Sequence, residues 1–435
     1  MSSPSTVLLR NPRLETAAFD SSAAEPMTLC EVPGANGSAR FAVPQALVEL
    51  IDLFDGRRSL EDAVALYGDQ HPGRYGAGSL ERLVHDFLLP KRLLLDASEP
   101  AEAVGADAGR RKSFLYLQLP LLDARVVRPV AAALAWAFRP WVILAWLPLF
   151  VLLQVYFFSV LAPRHDLDFN NLRLESLLYL MFLSTLGTFL HEFGHASAAA
   201  SFGCRRLEIG WGLYLIFPAL YTDVSEAWRL PRRQRAVVDV GGVYFQSFFL
   251  AAMIGLYAAT GHEIYLFAFL LSDLALAASF NPFLRLDGYW LVSDLFGIPN
   301  LHQQTRRLLR HGGARLLGLR PAGEPPRLGR SAAAALVVYA VAGGGFFVYL
   351  LTVVLKRVVA SLVLGFPVIV AEYWTALAGM TVLEALGGAV EIAWRGLMLV
   401  GLGFMLFNLL NRLTRLARAG LARLFPRPAT AVLER

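Results

Sequence analysis

Cysteine is scarce: the 435 residues contain two, Cys30 and Cys204. That excludes a disulfide framework, and both are expected to be free thiols. The first thirty residues hold no apolar stretch of signal-peptide length, only Val7-Leu8-Leu9. No cleaved signal is therefore expected, which places the N-terminus in the cytoplasm. Acid is nearly missing where base gathers: residues 301–330 carry seven arginines, from Arg306 to Arg330, and almost no carboxylate. The formal charge of +6 is carried mostly by arginines that cluster between apolar runs. In a soluble chain this balance would suit nucleic acid. Here the retention of basic loops on the cytoplasmic side of a membrane explains it, and no nucleic-acid partner is expected.

What is abundant is apolar. Hydrophobic residues make up 56% of the chain and the mean hydropathy is +0.49, above the norm for soluble domains. Runs long enough to cross a lipid bilayer fall at about residues 141–161, 177–200, 236–259, 264–280, 331–355 and 392–410, with 358–378 either a full span or a re-entrant segment. Two basic stretches, Arg229 to Arg235 and residues 301–330, fix the topology when both are placed in the cytoplasm. Span one leads out and span two returns. The expected fold class is a polytopic α-helical membrane protein of the cytoplasmic membrane, with about six transmembrane helices and one membrane-associated β-hairpin. An even number of spans keeps both ends inside. No pattern in the chain specifies an oligomeric state.

A small α+β soluble domain is expected over residues 1–100. Glu31 to Ser38, rich in proline and glycine, suits a hairpin turn. Leu47, Leu50, Ile51 and Phe54 recur at helical spacing up to Asp55-Gly56. Ser59-Leu-Glu-Asp62 reads as a capping box for a second helix, and Ser79 as the cap of a third. A short hairpin followed by three helices results. Residues 101–139 read as a linker and a membrane-surface segment, 140–300 as the core, 301–330 as a basic loop, 331–411 as further spans and 412–435 as a basic amphipathic tail. Residues 203–223 are too short and too broken by glycine and proline to span, but rich in strand formers, and are expected to form the hairpin.

Chemistry concentrates in the second span, at Thr188-Phe-Leu-His-Glu-Phe-Gly-His-Ala-Ser197. His191 and His195, four residues apart, share one helix face and suit a single zinc ion. Glu192 is placed to take a proton from the water that zinc activates. The ligand types also suit iron or cobalt. Two imidazoles and a carboxylate are costly inside a span, so function rather than coincidence is the default. A third ligand is needed. Candidates near apolar segments are Glu208, Asp223, Asp239, Asp273, Asp287, Asp294 and Glu372. Asp287 is best placed: Pro282 stops one helix, Gly288 permits a turn, and the break falls at the same membrane level as the histidines. Asp239 and Asp273 fail that test less clearly, and an interhelical hydrogen bond is the commoner fate of such a residue; His262 lies at the opposite face.

The motif in a spanning helix, the hairpin after it and Asn281-Pro-Phe-Leu-Arg-Leu-Asp287-Gly two spans later resemble the site-2 protease family of intramembrane zinc metalloproteases. Phe217 to Trp228 and Asn281 to Leu301 are similar to its peptide-zinc-metalloprotease branch. That resemblance implies Zn2+ held by His191, His195 and Asp287, with Glu192 as general base. It also implies Asn281 as a hydrogen-bond donor to the substrate carbonyl or oxyanion, and an edge strand in the hairpin that receives unfolded substrate. The third span reads Gly241-Gly-Val-Tyr-Phe-Gln246 where the family commonly has Gly-Pro and an asparagine. Residues 1–100, with Asn11-Pro-Arg-Leu14 and Leu53 to Leu60, resemble the PqqD-like peptide chaperones, which implies binding of a precursor's leader; a cap that merely stabilises the protein is the alternative. The expected partners are the bilayer and a peptide or membrane-protein substrate. Regulated proteolysis of a signalling protein, or peptide export or immunity without proteolysis, remain the other readings.

Overall fold

The computed structural model describes residues 7–34, 37–72, 77–97, 115–167, 172–214, 217–316, 318, 325–353, 356 and 360–424. Two compact units divide the chain, Met1–Ala340 and Val341–Arg435. The linker expected at residues 101–112 lies outside the described residues.

In the N-terminal region, β1 (Val7–Arg10) pairs with β5 (Asp55–Ser59) on one side and β6 (Leu94–Asp96) on the other. A second sheet orders β2 (Glu15–Phe19), β3 (Met27–Gly34) and β4 (Gly37–Pro44). The β3–β4 pair is the expected hairpin, closing with Gly34 opposite Gly37. The three expected helices follow it as α1 (Gln45–Asp52), α2 (Leu60–Gln70) and α3 (Ala77–Leu83). Ser59 caps α2 as its sequence suggests, its Oγ accepting from the Asp62 amide at 3.1 Å. Ser79 does not cap α3, because that helix has already begun at Ala77. Leu8, Phe54, Tyr67 and Leu88 are buried together beneath these elements and supply the apolar core.

The stretch after the linker, expected at the membrane surface, is ordered as a strand and a helix. It is β7 (Leu115–Leu122), whose backbone pairs with a strand some ninety residues on, then α4 (Ala124–Leu134), capped by the Asp123 carboxylate on the Arg125 and Val126 amides. Next come α5 (Pro140–Tyr156), α6 (Leu174–Ser201), β8 (Glu208–Tyr214), β9 (Phe217–Asp223), α7 (Arg232–Thr260) and α8 (Ile264–Ser279). The 203–223 segment is thus a hairpin, as expected, but it belongs to a three-stranded sheet ordered β7-β8-β9. Beyond it lie α9 (Asp287–Leu295), α10 (Leu301–Leu316), α11 (Arg330–Val353), α12 (Ala360–Ala376) and α13 (Val382–Leu424).

Among the described residues, five helical stretches are long and apolar enough to cross a membrane: Pro140–Arg164, Leu174–Ser201, Arg232–Thr260, Arg330–Tyr349 and Glu384–Asn408. The expected span at 264–280 is α8, whose 16 residues reach about 24 Å at 1.5 Å per residue, short of a hydrocarbon layer of about 30 Å. These helices turn large apolar side chains outward, among them Leu144 and Met181 at 72% and 66% exposure, as a lipid-facing surface would. Within the first unit the inward faces of the Pro140–Arg164 stretch, α6, α7 and α8 interlock. Phe157 stacks on Phe269 with ring centroids 3.9 Å apart, and Phe249, Leu250 and Leu266 close around them. The basic stretch 301–330 is not a loop throughout, since α10 fills its first half. Residues 412–424 of the expected tail are helical and continue α13, which runs unbroken from Val382 to Leu424, while residues 425–435 lie outside the described residues.

Candidate metal centre

The site begins with glycine. On α6 and α7 the backbones touch: a Cβ on Gly194 would lie 2.2 Å from the Gly241 carbonyl oxygen. With any larger residue there the helices would separate, and the polar side chains of one could not reach the other. Along this seam α6 presents His191, Glu192 and His195, all buried.

Asp287 arrives from the far side. Pro282 lacks the amide to continue α8, and the Asn281 Oδ1 accepts from the Phe283 amide at 2.9 Å, closing a tight turn. The Tyr339 hydroxyl donates to the Pro282 carbonyl at 2.8 Å. The loop then folds back so closely that a Cβ on Gly288 would sit 2.1 Å from the Phe280 carbonyl oxygen. Asp287 is left as the first residue of α9, its Oδ2 3.0 Å from His191 Nε2 and its Oδ1 3.5 Å from His195 Nε2. The structure thus brings together the three residues expected as ligands, with donor atoms within 4.8 Å of one another. Asn281 closes that turn through its Oδ1, and the expected donation from its amide to a substrate is a separate contact that involves its nitrogen.

The tautomers follow from what lies behind the rings. His195 Nδ1 is 2.8 Å from the Val238 carbonyl, which can only accept, so Nδ1 carries the proton. The Gln246 amide nitrogen donates to the Ser272 carbonyl at 2.8 Å, which turns its Oε1 toward His191 Nδ1 at 2.9 Å. His191 must also donate through Nδ1. As neutral rings, both therefore aim bare Nε2 lone pairs at each other, 3.1 Å apart, and at the Asp287 carboxylate. Asp287 Oδ2 is buried and takes no hydrogen bond among the described residues. Converging lone pairs repel unless a cation lies between them. Gly242 keeps that space open: its Cβ would fall 2.4 Å from His195 Nε2 and 2.5 Å from His191 Nε2. The donor set and the cradle fit a zinc ion, and the backing hydrogen bonds are of the kind that orient metal-bound histidines.

Glu192 has a different neighbour. The Thr222 hydroxyl, on β9, lies 2.6 Å from Glu192 Oε2 and 3.0 Å from the Glu192 carbonyl. The carboxylate is thereby tied to the outer strand of the β7-β8-β9 sheet. Sequence reasoning missed Gln246, Thr222 and the spacing role of Gly242. A glutamine inside an apolar span was the available signal, since an amide there needs partners.

The other candidates are placed elsewhere. Glu208 and Asp223 face each other at the open end of the β8–β9 hairpin. Asp273 accepts from Gln154 Nε2 at 2.5 Å, the interhelical role expected of it. Asp294 holds Arg235, Asp239 lies beside Asp294, and Glu372 is exposed. Both cysteines are free and buried. Burial pushes the Cys30 and Cys204 thiols up to about 11, so neither offers a thiolate near neutrality.

Comparison with known proteins gives a partial likeness. The chain is 28% identical over 105 residues to a Bacillus subtilis (strain 168) protein named putative peptide zinc metalloprotease protein YydH. The match spans 24% of this chain and 42% of that protein's length. No family model matches the chain, and no solved structure matches it.

Proposed function

We propose that this chain is an intramembrane zinc metalloendopeptidase, of the site-2 protease type, that cleaves a peptide or membrane-associated substrate. The observation that carries the reading is the convergence of two tautomer-fixed Nε2 atoms and one carboxylate around a space that only glycine leaves open. The likeness to a protein named as a zinc metalloprotease supports the same chemistry. Bound by His191, His195 and Asp287, zinc would supply a Lewis acid to the scissile carbonyl and make a nearby water acidic. Glu192 then takes the water's proton and passes it to the leaving amine, and Thr222 holds that carboxylate in place. A helical substrate has its carbonyls tied up internally and must unwind to be cut. Strand β9 is an edge of its sheet, because β7 occupies the other side of β8. An extended segment added to β9 would lie beside the Thr222–Glu192 contact.

The test is metal and cleavage together. Purified protein is expected to hold about one zinc, and its cleavage of candidate precursor peptides is expected to stop with a chelator and return with zinc. Properly folded protein that binds no zinc would sink the assignment.

The substrate class we favour is a ribosomally made precursor peptide, delivered by residues 1–100. Supporting this, a cleft of ≈ 730 Å3 runs between edge strand β2 and α1, bounded by Arg229 to Pro231. Ala18 is exposed and lines it. Ala18→Arg is expected to raise KM for a full precursor roughly tenfold, the worth of about 1.4 kcal/mol of lost binding, with kcat unchanged. Steady-state kinetics with full-length and leaderless peptides would show it. Equal effects on both would count against the delivery role.

A further inference from the structure

A short segment of the N-terminal region runs from the peptide cleft, which Phe19 and Asp20 line, to the end of the helix bearing Asp287. Arg235, buried in the first turn of α7, is the hub. Its guanidinium reaches three separate stretches of chain. The Nε donates to Asp294 Oδ1 at 2.8 Å, Nη1 to the Leu230 carbonyl at 2.9 Å and Nη2 to the Asp20 carbonyl at 2.9 Å. Above it lies the Phe19 ring, with the guanidinium carbon 4.5 Å from the centroid.

The next residues continue the grip. The Ser22 amide donates to the Gly297 carbonyl at 2.7 Å, just past the end of α9. Arg232 donates to Ser22 Oγ at 2.5 Å and, through its backbone amide, to Asp20 Oδ2 at 3.0 Å. On the other side, Gly329 donates to the Ser22 carbonyl at 3.0 Å and Ala24 to the Arg327 carbonyl at 3.0 Å. Gly297 has φ +64°, and a Cβ on it would sit 2.7 Å from the Ser22 amide nitrogen. The fit at the end of α9 is therefore close.

What this segment holds matters because α9 is short. Its nine residues carry Asp287 at one end and Asp294 next to the other, about 10 Å apart along the axis at 1.5 Å per residue. A helix of that length tilts as one body. Asp294 is fixed by Arg235 and, past the last turn, Gly297 by Ser22. Asp287 therefore meets His191 and His195 in a position set at the opposite end. We propose that residues 19–24 and Arg235 form a clamp on α9, making Arg235 a positioning residue for Asp287, so that seating of the N-terminal region tightens the metal centre. The proposal rests on the metal-centre reading above and adds to it a route by which the N-terminal region acts on the site without touching it.

The experiment is a double-mutant cycle on the full chain, read as zinc affinity by competition with a chelating dye. Asp287→Ala is expected to weaken zinc strongly. Arg235→Gln, which touches no ligand, is expected to weaken it by roughly 10- to 100-fold, the scale of outer-shell effects on metal sites. If Arg235 acts through Asp287, Arg235→Gln added to Asp287→Ala produces no further loss. Independent, multiplying losses overturn the clamp, as does unchanged affinity in Arg235→Gln alone. Unchanged affinity in Asp287→Ala would instead overturn the metal-centre reading. Should Arg235→Gln fail to fold, Phe19→Ala takes its place in the same cycle: it keeps every hydrogen bond of the segment and is expected to weaken zinc by a few-fold, again only while Asp287 is present.

Discussion

Gly242→Ala is expected to abolish zinc binding while leaving the protein folded. The added Cβ would stand 2.4 Å and 2.5 Å from the two Nε2 atoms, so both rings must turn away and the gap between them fills with carbon. The loss in affinity should exceed the 10- to 100-fold typical when only a backing group is changed, since two ligands are displaced at once. Elsewhere along a helix the same substitution is favourable by up to about 1 kcal/mol; here that gain is set against the hydrogen bonds to Gln246 and Val238 that the turned rings give up. Thermal unfolding of the metal-free proteins, beside zinc competition, separates the two effects. Full zinc affinity in the variant would show that the cation does not sit between the histidines.

Glu192→Gln is expected to keep zinc and lose cleavage. The amide has the shape of the carboxylate, retains an oxygen for the Thr222 hydroxyl and leaves His191 and His195 with their own partners, Gln246 and Val238. What it cannot do is take a proton. A drop in kcat of about 10²–10⁴ is expected, the range for loss of a general base, with zinc stoichiometry unchanged. Metal analysis and turnover on one preparation would check it. Undiminished cleavage would remove Glu192 from the chemistry, whereas loss of zinc as well would make its role that of holding the site together.

Two kinds of information were unevenly legible in the sequence. The His191–His195 pair could be read because four residues make one helical turn, and that relation is local. Asp287 could be read because Pro282 and Gly288 announce a break where polar atoms must face inward. Local rules gave the Ser59 cap and the β3–β4 hairpin for the same reason. Strand β7 was not legible: its partner β8 lies some ninety residues later, and by itself Leu115–Leu122 is an apolar stretch that suits a membrane surface as well. Arg229 illustrates the same limit, reaching back 198 residues to Glu31. Burial alone would raise the Glu31 carboxyl, but hydrogen bonds from Arg229 and Ser38, with the charge of Arg40, hold it below the usual carboxylate range. Gln246 failed to stand out for a different reason. It is polar in an apolar span, but which of the many polar groups it meets depends on how α6 and α7 are rotated about the Gly194–Gly241 contact.

That contact also bears on the route a peptide substrate of the proposed enzyme would take. Where two helices meet backbone to backbone, with 2.2 Å between a would-be Cβ and a carbonyl oxygen, no chain can slip sideways between them, and parting them would strip His195 and His191 of Val238 and Gln246. The α6–α7 seam is therefore a closed wall. On its other flank α6 meets β9 through the Thr222 hydroxyl, a contact that one side chain can give up and regain.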